Sequence, residues 1–273
     1  MKITQAFGKA VRTVSAQKGG ALKLLAAEGA TTLMCLAPLL FLAQQGPLKY
    51  LAALSPVLWL LVKVPARMNA AAVMQEAAEG GSIFSLRFAD PGLYRKKVLY
   101  GLTRLGLLAI WSVPLIAGLI YAWMQYAVTS DGLVVLNMVY EFGGNDMKTG
   151  AIYVLLIYAA MVLLVLLGAG FHSGDRHALV LERKGLLKGK RLKILWFRIC
   201  SLVFLLPMIG AAIITVLRYV PLLNDLSGVM TGDVPKPSTQ TSLVILGIGA
   251  VLTVPFLPMR SMATAVYVNG LKA

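Results

Sequence analysis

The sequence predicts an all-α integral membrane protein with six transmembrane helices. Apolar residues make up 58% of the 273-residue chain, charged residues only 14%, and the mean hydropathy is +0.77. Ordinary soluble domains contain about 25% charged residues. This composition therefore excludes an ordinary soluble domain and favours a chain that folds within a membrane.

Six apolar segments are candidates to cross a hydrocarbon core of about 30 Å. They are predicted at residues 29–43, 48–64, 100–127, 151–171, 194–220 and 242–259. The first is short, and either borrows the upstream stretch 22–27 or crosses a thin region. It passes through a Gly-Pro turn at 46–47 directly into the second segment, so we expect a retained helix and not a cleaved signal peptide.

The basic residues are distributed unevenly between the two sides of this arrangement. Of the 26 Lys and Arg residues, 22 fall in the N-terminal segment, the second and fourth connections and the C-terminal end. By the positive-inside rule, these segments and both termini are predicted to be cytoplasmic. We expect this face to attract the anionic lipids of the inner leaflet, and we expect no binding to nucleic acid.

The chain is predicted to be a single membrane domain, residues 1–273, built from three helix pairs at about 1–76, 77–182 and 183–273. Segments 67–73 and 260–266, which follow two of the even-numbered spans, share Arg, Ala, Ala and Val at the same spacing. Segment 176–180 is a looser version, two residues shorter. Alanine and valine are common in membrane helices, so chance similarity is the alternative to an internal repeat.

Each odd-numbered span also carries a proline near its middle, and these are predicted kink positions. Three kinks in register would flare the bundle around a central cavity; the alternative is the ordinary tolerance of membrane helices for proline. The prolines are Pro38, Pro114 and Pro207.

Two closely spaced glycine pairs lie at the end of the fourth span and within the sixth. Glycine in a membrane helix lets a neighbouring helix approach closely, so both pairs are predicted to be packing contacts. They are Gly168 with Gly170, and Gly247 with Gly249.

The cytoplasmic connections 68–87 and 177–193 are too polar to span a membrane and too apolar for simple linkers. Both are predicted to be amphipathic helices in the inner interface or helical extensions of the spans. Residues 7–25 are a third such candidate, with Phe7, Val11 and Val14 on one side.

No catalytic, metal or cofactor site is predicted. His172, Asp175 and His177 could supply three metal ligands, but the intervening Ser-Gly turn and arginine fit a metal site poorly. We therefore expect a loop with incidental histidines. No acidic residue is expected centrally in a span, which argues against catalysis by paired carboxylates. The expected absence of polar residues at mid-membrane argues against ion-coupled transport of a charged solute. Cys35 and Cys200 are predicted to be packing residues.

The segment Glu76-Ala-Ala-Glu79-Gly-Gly resembles the Glu-Ala-Ala loop with which permeases of ATP-driven importers dock on their ATPase. Ser82 stands where that motif has glycine, and the closing Leu-Pro is Asp-Pro at 90–91. The resemblance implies a partner-docking surface at Glu76, Glu79 and Arg87. Contact with lipid headgroups is predicted for the basic residues of the fourth connection, namely Arg183, Lys184, Lys188, Lys190, Arg191 and Lys193.

Two further segments carry a resemblance to a known group of proteins. An acidic-glycine segment at 182–185 leads into a basic run ending at Arg198, and the chain closes with Pro-Met-Arg at 258–260 through Tyr267. The pattern resembles bacterial six-helix membrane proteins that include the membrane domain of some glycerophosphodiester phosphodiesterases. The resemblance implies multi-pass architecture in a bacterial cytoplasmic membrane, without the phosphodiesterase activity.

The predicted function is that of a non-enzymatic membrane subunit or scaffold. Its basic cytoplasmic helices would engage a protein partner or anionic lipid headgroups. The alternative is a transporter or permease subunit that works with a separate ATPase. A membrane enzyme acting on lipid headgroups ranks last, because acidic and histidine clusters are missing from the sequence.

Overall fold

The computed structural model describes residues 1–43, 47–83, 91–126, 147–180, 189–221 and 237–271. These residues form helices and connecting turns, and no strand occurs among them. The α-helices are α1 (Ile3–Ala16), α2 (Lys18–Leu36), α3 (Leu54–Leu58), α4 (Val64–Ala78), α5 (Pro91–Tyr126), α6 (Met147–Phe171), α7 (Asp175–Val180), α8 (Arg191–Cys200), α9 (Leu206–Leu217), α10 (Thr239–Thr253) and α11 (Phe256–Gly270).

Shorter helical segments of other types link several of these helices. The 3-10 segments Ala37–Ala43 and Pro47–Ala53 lie between α2 and α3, and a third, Ser201–Leu205, joins α8 to α9. A π-helical turn, Trp59–Lys63, separates α3 from α4.

Five helical runs in the described residues are long and apolar enough to cross a membrane. They are Lys18–Phe41, Tyr50–Ala78, Tyr94–Ala122, Thr149–Ala178 and Arg191–Leu217. The pair α10 and α11, bent by 51°, makes a sixth if it is counted as one span. The predicted all-helical class is confirmed, the five or six apolar helices are consistent with a multi-pass protein, and the first candidate span includes the upstream residues.

The chain divides into two compact units. Unit 1 comprises Met1–Gly106, Gly170–Phe204 and Pro255–Ala273, and unit 2 comprises Leu107–Ala169 and Leu205–Val254. The boundaries predicted for the three repeats do not follow this division and stay a prediction. Unit 1 contains 23 of the 26 Lys and Arg residues, namely the 22 that are predicted to be cytoplasmic and Lys49. Five of them lie outside the described residues.

The amphipathic helix α1 packs against α11 in unit 1. Its buried face repeats every four residues at Ala6, Ala10 and Val14, and the two alanines let the helices approach closely. Phe7 faces inward, as predicted, and lies edge-on to Phe197 at a ring distance of 5.6 Å. Val11, predicted on the same side, is instead 38% exposed, because it lies off this four-residue stripe.

The connection after the second span is a helical extension of that span, which was one of the two predicted alternatives. Helix α4 is buried on most of its sides and contacts both α7 and α11. It ends at Gly80, whose φ of +104° suits glycine. The Gly81 N–H donates to the Glu76 carbonyl at 2.9 Å, and Lys9 Nζ donates to the Ala78 carbonyl at 2.8 Å.

The three prolines in register along the sequence have different local surroundings. Pro38 lies in the 3-10 segment after α2, Pro114 lies inside the continuous helix α5, and Pro207 lies in the first turn of α9. Two of them therefore coincide with a change of helix type, where no intrahelical N–H is lost from an α-helix interior.

Close helix contacts in both units form at glycines, as predicted for Gly168, Gly170 and Gly249. A Cβ atom at Gly249 would lie 2.3 Å from Ala211 Cβ, and one at Gly168 would lie 2.2 Å from Trp111 Cγ. Gly247, predicted to be a contact, has open space beside it. A glycine faces a neighbouring helix only where the helical phase allows it.

Candidate functional site

Five helices of unit 1 each contribute one arginine to a common region, which we call the arginine cluster. Arg176 is repelled by Arg104 and Arg67, and Arg198 is repelled by Arg260, Arg176 and Arg104. These helices are α4, α5, α7, α8 and α11. The cluster therefore gathers residues that are as many as 193 positions apart in the chain.

Packing of the segments that follow the even-numbered spans explains why the cluster forms. Helices α4, α7 and α11 contact one another, and each has its arginine near its N-terminal end: Arg67, Arg176 and Arg260. The two longer segments also share Pro-x-Arg, at 65–67 and 258–260. The packing places Arg67 and Arg176 near enough to repel each other.

Two arginines of the cluster are held by reciprocal hydrogen bonds between α8 and α11. Arg198 Nη1 donates to Thr264 Oγ1 at 3.4 Å, and Thr264 Oγ1 donates to the Arg260 carbonyl at 2.9 Å. In return, Arg260 Nε donates to Ser201 Oγ at 3.3 Å, and Ser201 Oγ donates to the Arg198 carbonyl at 2.7 Å. Both hydroxyl side chains are buried, so this arrangement is rigid.

The positive charge of the cluster is poorly compensated. In the part of the chain that the structure describes, no ion pair joins any of its five arginines to a carboxylate. Glu28 attracts Arg176 from a longer distance. Two like charges about 8 Å apart repel by about 2 kcal/mol at an effective dielectric constant of about 20, so the repulsion among several arginines is substantial.

Among the described residues, Arg176 Nε is a buried polar atom of the cluster that has no hydrogen-bond partner. The Tyr100 hydroxyl lies near Arg176 and is hydrogen-bonded to the Arg104 side chain. Because a guanidinium group only donates, the O–H of Tyr100 is left to donate. Buried polar groups in proteins are almost always hydrogen-bonded, so a buried donor without a partner indicates a place for a water molecule or a ligand.

A separate polar hub joins the three packed segments beside the cluster. Gln75 Nε2 of α4 donates to the Ala265 carbonyl of α11 at 3.3 Å and lies 3.3 Å from His177 Nδ1 of α7. Because a carbonyl only accepts, Gln75 Nε2 faces it as a donor, and its second hydrogen points to His177 Nδ1. His177 therefore carries its proton on Nε2, an atom that is buried and has no partner in the described structure.

Glu28 and Lys63 lie near the middle of two candidate spans, and Glu28 corrects the prediction that no acidic residue would lie centrally in a span. Glu28 lies inside Lys18–Phe41, because this helix begins eleven residues before the predicted start. Lys63, in Tyr50–Ala78, is 3% exposed and interacts electrostatically with Glu28. Lys63 Nζ donates to the Glu28 carbonyl at 2.6 Å and to Thr31 Oγ1 at 3.2 Å. Lys63 is the last residue of the π-helical turn Trp59–Lys63, and π-helical turns are often found at functional sites.

The predicted docking residues are only partly described. Glu76 and Glu79 are exposed at the C-terminal end of α4, where the Glu-Ala-Ala segment forms the last helical turn. Arg87 lies outside the described residues. The docking surface stays a prediction.

Of the six residues predicted to contact lipid headgroups, three are described by the structure and three are not. Lys190 Nζ donates to the Leu271 carbonyl at 2.6 Å, and Arg191 Nη1 lies 3.7 Å from Asp175 Oδ2. Lys193 is exposed. The remaining three, Arg183, Lys184 and Lys188, lie outside the described residues.

The histidine-containing segment does not form a metal site. His172 Nδ1 lies 2.9 Å from Asp175 Oδ2, but His177 points to Gln75. Within the described residues, no group of three His, Cys, Asp or Glu side chains could hold a metal ion. The predicted loop is instead a short helix from Asp175, and His177 on this helix is fully buried. Cys35 and Cys200 are free, and Cys35 is buried, as expected for a packing residue.

The sequence did not predict the arginine cluster, although part of its signal is visible there. Alignment of segments 67–73, 176–180 and 260–266 superposes Arg67, Arg176 and Arg260, which indicates similarity between the segments and no more.

Comparison of the chain with models of protein families, with curated proteins and with solved structures found no match. The resemblance to the bacterial six-helix group stays a prediction.

Proposed function

We propose that the protein is a non-enzymatic membrane scaffold whose basic unit engages the anionic headgroups of the inner leaflet. The observation that carries this proposal is the concentration of 23 of the 26 Lys and Arg residues in unit 1. Each basic residue near an anionic membrane surface contributes about 1 kcal/mol of attraction.

Both the surface and the interior of unit 1 support this proposal. Arg12, Arg95, Lys96 and Lys193 are exposed, and each can meet a headgroup without unfolding a helix. Helices α1 and α8, which carry Arg12 and Lys193, contribute residues to the core. The start of α5, which carries Arg95 and Lys96, is joined to the second span by hydrogen bonds from Tyr94 to the Leu61 carbonyl and from Lys97 to Asn69. A rigid basic surface binds at a smaller entropic cost than a disordered basic tail would.

The test uses the full-length chain in mixed micelles of one detergent. We expect phosphatidylglycerol to raise the unfolding temperature above that in phosphatidylcholine, and about 0.5 M salt to reduce the difference, because exposed charges are screened. The variant with Arg12, Arg95, Lys96 and Lys193 all changed to Gln should lose most of the gain. An equal effect of both lipids on the wild type would overturn the proposal, and stoichiometric co-purification of a protein would redirect it to a partner.

A second candidate, a transporter or permease subunit, is favoured by a different observation. The charged pair Glu28 and Lys63 lies within candidate spans, and the α10–α11 pair is bent by 51°. Charged groups and broken helices inside a membrane are common features of substrate paths.

The test of this candidate is co-purification of an ATPase with the tagged protein in mild detergent. The permease proposal expects a stoichiometric ATPase that is lost when Glu76 and Glu79 are both changed to Lys. The matched control changes the exposed Lys2 and Lys18 to Glu. Absence of any ATPase from the wild-type complex would remove the ATP-driven form of this candidate.

A further inference from the structure

We propose that the arginine cluster is a binding site for a phosphate group, most suitably a terminal phosphomonoester. If the ligand is a lipid, this inference rests on the function proposed above, and it specifies that unit 1 prefers headgroups that end in a phosphomonoester. The site comprises Arg104, Arg176, Arg198 and Arg260, with Arg67 at its exposed margin and the Tyr100 hydroxyl beside it.

The donors in this region match phosphate in number and type. A guanidinium group has five N–H donors and no acceptor, and it binds phosphate oxygens in pairs. Arg198 uses Nη1 and Arg260 uses Nε within the protein, so each retains further N–H groups. Among the described residues, Arg176 Nε is buried without a partner and adds another donor. The Tyr100 hydroxyl accepts from the Arg104 side chain, so its own O–H is left to donate.

The charge balance favours a phosphomonoester over a singly charged anion. Arg176 is repelled by Arg104 and Arg67, and Arg198 by Arg260, Arg176 and Arg104. Within the described residues, no ion pair neutralises any of these five arginines. Glu28 is the carboxylate that attracts Arg176. A phosphomonoester carries close to two negative charges at neutral pH and a phosphodiester carries one, so the former relieves more of the repulsion.

The site is also organised before a ligand arrives. The reciprocal hydrogen bonds through Ser201 and Thr264 hold Arg198 and Arg260 at the contact between α8 and α11. Binding therefore does not require these two long side chains to lose most of their freedom. A set of fixed guanidinium groups without carboxylate partners is suited to an anion.

Two sources supply this chemistry, and the experiment separates them. One is a lipid with a terminal phosphate, for which short-chain phosphatidic acid is the probe. The other is free phosphate, for which inorganic phosphate is the probe. Short-chain phosphatidylglycerol serves as the phosphodiester comparison, and chloride at equal ionic strength controls for screening.

The experiment titrates each probe into the full-length chain in a zwitterionic detergent and follows the unfolding temperature through tryptophan fluorescence. We expect a saturable increase with phosphatidic acid or inorganic phosphate at concentrations where phosphatidylglycerol has little effect. Arg198→Gln should weaken apparent affinity by about ten-fold or more, because one charge-assisted contact is lost. Lys18→Gln changes an exposed basic residue outside both the cluster and the four-residue surface set, and it should leave the affinity unchanged.

Tyr100→Phe keeps the proposal testable if Arg198→Gln does not fold. It removes one hydroxyl and keeps the ring, and it should weaken phosphate binding several-fold. Native mass spectrometry of the wild type should show one tightly retained phosphate or phosphatidic acid. An absence of saturable binding of either probe would overturn the proposal, as would equal affinities in the wild type, Arg198→Gln and Tyr100→Phe.

The outcomes also distinguish this site from the general basic surface. If both lipids stabilise equally and only the change of Arg12, Arg95, Lys96 and Lys193 to Gln abolishes the effect, the surface function stands and the phosphate site is wrong. If inorganic phosphate binds through Arg198 while no lipid stabilises the chain, the site stands and the lipid function is wrong.

Discussion

Individual polar side chains in unit 1 have strict hydrogen-bonding roles. Gln75 contacts His177 and the Ala265 carbonyl, so one amide joins three helices. His177 is fully buried at this point. Its replacement would remove both packing volume and the acceptor for Gln75.

His177→Ala is expected to destabilise the fold by about 2–4 kcal/mol, through the cavity and the unsatisfied Gln75 amide. The measurement is the free energy of unfolding in mixed micelles. His172→Ala is the control, since this side chain keeps 15% of its surface exposed and pairs only with charged neighbours. It should cost less than about 1 kcal/mol. Equal losses in the two variants would contradict the role of the hub.

Gly80→Ala is expected to destabilise the chain by about 1 kcal/mol or more, because φ at this position is +104°. Gly8→Ala is the matched control, since Gly8 lies in α1 with open space where the added methyl group would lie. The control should be neutral or stabilising by up to about 1 kcal/mol. A neutral Gly80→Ala in the same unfolding assay would contradict the left-handed cap.

At the scale of elements, packing depends on small residues at defined helical phases. Helices α9 and α10 meet in unit 2, where Gly249 lies against Ala211 and the Pro207 carbonyl. Gly247, two residues earlier on the same helix, has no neighbour within 4 Å of a Cβ position. Sequence alone identified the glycine pair, but only the packing shows which member forms the contact.

Gly249→Ala is expected to cost about 1–3 kcal/mol, because the added methyl group meets backbone and Ala211 Cβ. Gly247→Ala should be neutral or slightly stabilising, since it adds helix propensity without a clash. The check is thermal unfolding of both variants in the same detergent. If Gly247→Ala were the more damaging change, the helical phase of α10 would be wrong.

Helix boundaries are harder to predict than the existence of spans. The first candidate span starts at Lys18 and not near Gly29. By hydropathy alone, the charged residue Glu28 ends the apolar segment, and the predicted span therefore began after it. In the structure, the Glu28 carbonyl accepts from Lys63, and Glu28 interacts electrostatically with this lysine of the next span. A charged residue can be accommodated within a span when a partner from another helix is present. That partner cannot be identified from local hydropathy.

For the whole molecule, the positions of the two chain ends bear on whether the number of membrane crossings is even or odd. Helix α1 packs against α11, and a Cβ at Gly270 would lie 2.8 Å from Met1 Cβ. The two ends of the described chain are therefore neighbours within unit 1. Ends on one side require an even number of crossings, which favours counting the bent α10–α11 pair as a single span.

Reporter fusions at both ends are expected to place both termini in the cytoplasm. A C-terminal fluorescent protein that folds only in the cytoplasm should be bright, and alkaline phosphatase inserted after residue 146 or 233 should be active. The reason is the positive-inside distribution of 22 of the 26 basic residues. Termini on opposite sides would contradict it and leave five crossings.

The amino-acid sequence alone determined the membrane class, the approximate number of spans and the charge asymmetry. Each of these follows from short segments of sequence, because the hydropathy of a segment and its number of Lys and Arg residues depend only on the residues within it. The tertiary structure decided which polar groups meet. The arginine cluster and the Gln75–His177 hub join residues up to 193 and 190 positions apart, through the mutual packing of α4, α7 and α11. Non-local packing of this kind has no counterpart in a local sequence pattern, and it is the reason that the candidate site emerged only from the fold.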